Sequence, residues 1–294
     1  MAIMTEELSD KPSSSKKLKL LTSVSVDDTD KDNANINSTD LSFKASEKTY
    51  SEIDYLKSNK PFVITRFILE CGNKLNAKVI TISTALKLMH RFNKSTENTD
   101  YDTYLISAAC LYLAGKVEDN DHIRIRDIIN VVYSTLHRGR EPLELTDEYY
   151  AIRAAIVHAE LLLLRMVQFQ TKFIHPHKYL LHYLKSLKDW MSPDVWNKYP
   201  LSRTSWALLQ DSYHDSSITL DTDPKLLSLA CIQLALQTYG IKVPFMSETS
   251  VDEKAWYKVF YKSATKDKLW FVMKQLMDIY NQELVYISPI IKES

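Results

Sequence analysis

A lysine closes one of the most apolar stretches of this chain. The stretch LISAACLYLAGKVED runs from Leu105 to Asp119, and ten of its first eleven residues are apolar, small or aromatic. Such a segment is typical of a helix surrounded by other helices. A lysine held at the end of a packed helix offers three hydrogen-bond donors and no acceptor, so Lys116 is a candidate for binding oxygen atoms of a partner. The alternative is a lysine that only lies near the negative end of the helix dipole, its stem over apolar surface.

Histidines and arginines are the other residues whose spacing suggests chemistry. His175, His177 and His182 lack a cysteine or carboxylate that would complete a set of metal ligands, so we predict a helix start there rather than a metal site. Arg124 and Arg126, beside an aspartate, are candidates for binding phosphate. A solvent-exposed, ion-paired face is the favoured interpretation of that arginine pair.

No pattern of a catalytic or cofactor site is present in the sequence. It has no Gly-rich phosphate loop, no nucleophile elbow and no paired catalytic carboxylates. We therefore expect a protein that is not itself an enzyme and that needs no cofactor and no metal. The 37 basic and 37 acidic residues cancel, whereas nucleic-acid-binding proteins usually carry a basic excess, so direct nucleic-acid binding is not expected.

Cysteine usage and targeting signals indicate the compartment. Cys71, Cys110 and Cys231 are far apart, which predicts buried thiols in a reducing environment. The sequence shows no signal peptide and no apolar run of the roughly 18 residues that span a membrane. We expect an intracellular protein. The lysine-rich run at 16–19 is either a weak nuclear import signal or, as we favour, a solvated charged stretch.

The elements that position Lys116 are predicted to be helices. Only 4 residues are glycine, and sheets joined by tight turns usually need more. Apolar residues recur at helical spacing, as in TDEYYAIRAAIVHAELLLLRMVQF. An all-α fold is therefore expected. Its helix starts are predicted from N-cap residues and from prolines at the first helical position, namely Thr81, Asp100, Thr146, Pro176, Ser192-Pro193 and Asp223-Pro224.

An internal repeat organises these helices. A shift of 121 residues aligns LISAACLYLAGK with LLSLACIQLALQ, so that Ser107 falls on Ser228 and Cys110 on Cys231. The same shift aligns an earlier helix of each half, which predicts two duplicated helical domains with a small-residue central helix. Lys116 falls on a glutamine. The lysine therefore belongs to the first copy alone, and the repeated architecture does not require it.

Two helical repeats with this lysine resemble the cyclin family. The motifs are CLYLAGKVED in the third helix, ELLLLRMVQF in the fifth, and HPHKYLLHYL at the start of the second repeat. Cyclins carry a lysine and a glutamate at two of these places, which match Lys116 and Glu160, the latter nine residues before Phe169. The resemblance covers roughly residues 60–285. Within the family the sequence is similar to cyclin Q, a cyclin of the transcription-associated type, through the motifs TRFILECGNKL, AGKVEDNDHIRIRDIINV, EPLELTDEYY, FIHPHKYLLHYLKSL and TSWALLQDSYH.

This resemblance implies a domain organisation. Two tandem five-helix cyclin-box domains are expected at 59–172 and 173–285. Residues 1–58 are polar and nearly free of aromatic residues, so we predict a disordered tail there. A short C-terminal tail is predicted at 286–294.

The resemblance also implies a function. A cyclin is the regulatory, activating subunit of a cyclin-dependent protein kinase, and similarity to cyclin Q makes cyclin-dependent kinase ten the expected partner in a heterodimer. The kinase-binding residues would lie in the first cyclin box: Lys116, Glu160, Val117, Glu118 and Leu163. The expected roles are cell-cycle and transcription regulation, and the resemblance, with the weak import signal at 16–19, implies residence in the nucleus as well as the cytoplasm. The alternative is a protein of the same fold that binds DNA or other transcription proteins.

Overall fold

Helices make up nearly all the regular structure in the part of the chain that the computed structural model describes, which is residues 53–96, 101–120, 122–243, 255–287 and 290. The predicted all-α fold is confirmed. In chain order the helices are α1 (Pro61–Lys74), α2 (Val79–Ser95), α3 (Thr103–Val117), α4 (Ile125–Leu136), α5 (Asp147–Met166), α6 (His177–Trp190), α7 (Pro193–Lys198), α8 (Leu201–Asp211), α9 (Ser216–Asp221), α10 (Pro224–Thr238), α11 (Trp256–Phe260) and α12 (Lys266–Tyr286). Short 3₁₀ helices span Tyr55–Lys57 and Ser212–His214.

Helix α3 lies at the centre of the first half of the fold. It packs against α1, α2, α4 and α5, and its residues from Ile106 to Leu111 are all buried. Small side chains let the neighbours approach: a Cβ atom added at Gly115 would lie 3.3 Å from Ile123. The uniformly apolar sequence of this helix thus reflects neighbours on several sides.

Helix α10 takes the central position in the second half. It packs against α6, α8 and α12. Its bounds, 224–238, lie 121 residues after those of α3, 103–117. The offset recognised in the sequence is therefore an offset between two central helices of equal length.

The two central helices also begin in the same way. The carboxylate of Asp102 accepts hydrogen bonds from the backbone amides of Tyr104 and Leu105, and the carboxylate of Asp223 accepts one from Lys225. Asp100, the predicted cap of α3, lies outside the described residues, and the aspartate two residues later makes the cap bonds.

Substitution of the α3 cap has a calculable effect. We expect Asp102→Ala to lower the free energy of unfolding by about 1 kcal/mol, because two backbone amides lose their acceptor. Denaturant titration measures the change. The matched control is Thr146→Ala, since Thr146 occupies the N-cap position of α5 without making a side-chain cap bond. Equal losses in the two variants would contradict the assignment.

Three other predicted helix starts are confirmed and two are displaced. Helices begin at Asp147 after Thr146, at Pro193 and at Pro224. Helix α2 begins at Val79, before Thr81, and Pro176 is the N-cap of α6 rather than its first residue. The α2 prediction failed because Thr81 is fully buried inside the helix, where its hydroxyl accepts from Asn120.

Buried histidines lie where the two halves of the fold meet. His90 Nε2 donates to the carbonyl oxygen of Tyr213 at 2.8 Å, and His214 Nδ1 lies 2.8 Å from Thr65 Oγ1. His175 lies between Thr84 and the hydroxyl of Tyr213, with both distances at 3.0 Å. Burial lowers the pKa of all three histidines, and the neutral imidazoles join α1 and α2 to the segment before α6 and to the 3₁₀ helix Ser212–His214.

The predicted tails lie only partly within the described residues. Residues 1–52 and 291–294 lie outside them. The last residues of the predicted N-terminal tail belong to the fold, since Tyr55 is buried and its hydroxyl donates to Glu70 at 2.6 Å. At the other end Ile287 is buried as well. Tyr55 and Ile287 therefore belong to the core, at the edges of the two predicted tails.

Candidate functional site

Lys116 and Glu160 form an ion pair between two packed helices. The Nζ atom of Lys116, in the last turn of α3, lies 2.7 Å from Oε1 and 2.8 Å from Oε2 of Glu160 on α5. The lysine ammonium also lies 4.0 Å from the centre of the Tyr112 ring. Ring and carboxylate together hold the end of a flexible side chain in one place.

The two partners differ in exposure. The side chain of Lys116 is 49% exposed and that of Glu160 only 10%. Burial lowers the pKa of Lys116, but its hydrogen bond and attraction to Glu160, helped by Tyr112, outweigh burial and leave that pKa raised. The lysine is therefore charged at neutral pH, with part of its surface open to solvent. A partner can reach the pair without unfolding either helix.

The structure separates the remaining predicted site residues by depth. Glu118 caps α3 and accepts a hydrogen bond from Thr84 Oγ1 on α2 at 2.7 Å. Val117 is half-buried against the core. Leu163 is fully buried, so it holds α5 in place and presents no surface to a partner. The surface near the ion pair is thus formed by the end of α3 and the exposed side of α5.

Exposed apolar residues of α5 form a surface that the sequence reasoning missed. Tyr150, Val157 and Leu161 are each more than 40% exposed and follow one another at helical spacing, beside Glu160. Phe169, just beyond the helix, is 69% exposed with φ of 57°. We call these four residues the α5 shoulder. The signal was present in the sequence, since α5 is apolar on more sides than one buried stripe requires.

The other candidate groups lie elsewhere. His175 and His177 are buried, whereas His182 is exposed on α6. Arg126 lies 3.6 Å from Asp127 in an exposed ion pair. No group of three or more histidine, cysteine or acidic side chains has the geometry of a metal site within the described ranges.

The state of the cysteines agrees with the expectation from the sequence. Cys71, Cys110 and Cys231 are fully buried free thiols, and burial raises the pKa of each. Among the described helices, none has the length and apolar character needed to cross a membrane.

Known proteins are similar to this chain in sequence. Residues 35–172 match the family described as "Cyclin, N-terminal domain". Human cyclin-K is 26% identical over 223 residues, which are 74% of this chain and 36% of that protein. Cyclin-T1-4 of Arabidopsis thaliana is 25% identical over 252 residues, 83% of this chain and 44% of that protein. Cyclin-L1 of Gallus gallus is 26% identical over 227 residues, 76% of this chain and 39% of that protein.

A solved structure agrees at the level of the fold. A chain of the crystal structure of the yeast RNA Pol II CTD kinase CTDK-1 complex superposes with a TM-score of 0.57 at 15% identity, covering 81% of this chain and 68% of that chain. The matched region spans less than half the length of the curated relatives named above. The family match, the similarity to cyclins K, T and L and the all-helical fold agree, and residues 35–172 are identified as a cyclin N-terminal domain.

Proposed function

We propose that this chain is a non-catalytic regulatory subunit that binds and activates a cyclin-dependent protein kinase. The observation that carries the proposal is the Lys116–Glu160 ion pair, positioned at a helix end beside the exposed α5 shoulder. The first predicted cyclin box, residues 59–172, contains all of these groups. In the second box, 173–285, the shift of 121 residues places the uncharged Gln237 of α10 at the position of Lys116, so the ion pair is absent there.

The ion pair offers both kinds of hydrogen-bonding group to a partner backbone. The ammonium group has three donors, and the two Glu160 oxygens keep lone pairs beyond those that bind the lysine. Exposed apolar side chains around such groups exclude water when a partner binds, which strengthens charged hydrogen bonds. A kinase helix held by this surface would keep the kinase ion pair that positions the ATP phosphates.

Cyclin-dependent kinase ten is our proposed partner, on the strength of the motifs that are similar to cyclin Q. The relatives named above are cyclins K, T and L, and the structural neighbour belongs to a kinase complex. These similarities favour a transcription-associated kinase and action in the nucleus. Binding through Lys116, Glu160, Val117 and Glu118 is part of the same proposal, with Leu163 as the buried support of α5.

Capture of purified kinases tests the proposal. The full chain is immobilised and offered a panel of cyclin-dependent kinases, and phosphorylation of a generic substrate is followed for each kinase that is retained. We expect one kinase to be retained and activated, while the chain alone phosphorylates nothing. Retention of no kinase would overturn the proposal. Salt-sensitive binding of duplex DNA by such a chain would then favour the alternative, a DNA-binding protein of this fold.

The α5 shoulder supplies a sharper variant. We expect Leu161→Asp to weaken kinase capture roughly 10- to 30-fold, because a carboxylate would be desolvated in an apolar contact. Leu181→Asp is the matched control, since Leu181 is an equally exposed leucine on α6. Circular dichroism checks that both variants fold. Equal weakening by the two changes would remove the shoulder from the interface.

A further inference from the structure

Helix α12 exposes a broad apolar face that the described residues leave uncovered. Five large apolar side chains of this face are each more than half exposed: Trp270, Phe271, Met277, Leu284 and Val285. Lys274, Asp278 and Asn281 lie on the same face and are exposed too. We call these eight residues the α12 face. They follow the spacing i, i+1, i+4, i+7, i+8, i+11, i+14 and i+15, so they form one continuous strip about 23 Å long, given the rise of 1.5 Å per residue.

The fold itself does not need this strip. Helix α12 is held by its opposite side, where Leu269, Val272, Leu276 and Ile279 are buried. Tryptophan, phenylalanine and methionine are the residues that interfaces concentrate, and an exposed apolar patch of this extent on a folded protein marks a binding surface. Docking of a protein surface is therefore its expected use.

We propose that the α12 face binds the α12 face of a second copy of this chain, with the two helices antiparallel. A twofold axis between Met277 and Asp278 pairs residues that lie equally far on either side of it along the helix. Every residue of the strip then pairs with another residue of the strip. Trp270 then lies opposite Val285 of the second copy, and Phe271 opposite Leu284. Each aromatic pair thus meets an aliphatic pair, as an isologous interface requires.

The charges of the strip favour this orientation and this occupant. In the antiparallel pair Lys274 lies opposite Asn281 of the second copy and within one turn of its Asp278, so each end of the contact gains an opposite-charge neighbour. A parallel pair would place Lys274 beside Lys274, which repels, whereas the antiparallel pair separates the two lysines; Asp278 lies beside its own copy in both arrangements. The antiparallel orientation is therefore the one that separates the two Lys274 ammonium groups, gives each an opposite-charge neighbour and sets aromatic side chains against aliphatic ones.

Sedimentation of the purified full chain, with no kinase present, tests the inference. We expect a species of about twice the 34.1 kDa chain mass at tens of micromolar, dissociating on dilution. Met277→Asp should shift the dissociation constant upward at least 10-fold, because it places a carboxylate opposite Asp278 of the second copy, and Leu181→Asp on α6 should leave it unchanged. Lys274→Asp should weaken the dimer, and the combination of Lys274→Asp with Asp278→Lys should restore it, because the opposite-charge contacts return with reversed sign.

Cysteine cross-linking tests the orientation. The three natural cysteines are buried, so introduced ones are the accessible thiols. Lys274→Cys combined with Asn281→Cys should give disulfide-linked dimers under mild oxidation, whereas Lys274→Cys alone should not. A single-chain mass at every concentration, with or without binding of some other protein to this face, would overturn the proposal. Cross-linking by Lys274→Cys alone would overturn the antiparallel arrangement. None of these readouts depends on kinase binding.

Discussion

Replacement of Lys116 by methionine is expected to destabilise the fold and to abolish kinase capture. Adding a second change, Glu160→Met, should restore the stability of the fold but not the capture of the kinase. The single change leaves the buried Glu160 carboxylate without its cation. We expect a loss of about 1–3 kcal/mol in the free energy of unfolding, kept below the full cost of a buried pair because Lys116 is half-exposed. The double change removes the stranded charge and replaces both groups with apolar side chains of similar length.

Kinase binding should respond differently from stability. Truncating fixed charged groups at a desolvated interface costs on the order of 2–5 kcal/mol, or roughly 25- to several thousand-fold in affinity. The double variant is therefore expected to melt near the wild-type temperature and to bind the kinase at least 25-fold more weakly. Capture that recovers together with stability would show that the ion pair only supports α3 and α5. Capture that is lost in a stable double variant would place both side chains in the contact.

Acid should destabilise this protein well above the pH at which carboxylates protonate. Burial, with a contribution from Lys87, lowers the pKa of His175 to about 3 and that of His177 to about 4. Burial, with contributions from Arg66 and His90, lowers the pKa of His214 to about 3. In the unfolded chain these histidines accept a proton near pH 6.5. The unfolded state therefore binds more protons than the folded state between about pH 6.5 and pH 4.

The sign and size of the effect follow from this difference. The stability that the neutral histidines contribute is fully present above pH 6.5 and is lost as the pH falls through that window. Each histidine removes about 1.4 kcal/mol per pH unit, so three remove roughly 6 kcal/mol by pH 5. Urea titrations between pH 8 and pH 5 measure the slope. Burial raises the pKa of Glu70, but hydrogen bonds from Lys74 and Tyr55 outweigh burial and leave that pKa lowered. Protonation of Glu70 therefore affects stability only in more acidic solution.

One substitution isolates the histidine contribution. His177 is stacked on Tyr213 and has no hydrogen-bond partner at Nδ1 among the described residues. We expect His177→Phe to keep the aromatic contact and to flatten the dependence of stability on pH by about 1.4 kcal/mol per unit. His182→Phe, at an exposed position of α6, should leave the slope unchanged. An unaltered slope in both variants would contradict the assignment of acid sensitivity to these buried imidazoles.

The sequence alone determined the helices and their duplication. Helix periodicity and cap residues act within one or two turns, so local patterns were enough to predict α5, the starts at Pro193 and Pro224, and the offset of 121 residues. The position of Lys116 at the end of an enclosed helix also followed from composition. Its suggested link to Glu160 came from the resemblance to cyclins.

Only the tertiary structure decided which faces are covered. Lys116 and Glu160 are 44 residues apart in the chain and meet because α3 and α5 pack together. Leu163 and Leu161 are near neighbours of the same type, yet one is fully buried and the other half exposed. Periodicity identifies an apolar side of a helix but not the neighbour that covers it, because that neighbour is supplied by residues far away in the sequence. For the same reason the α5 shoulder and the α12 face became visible only in the folded chain.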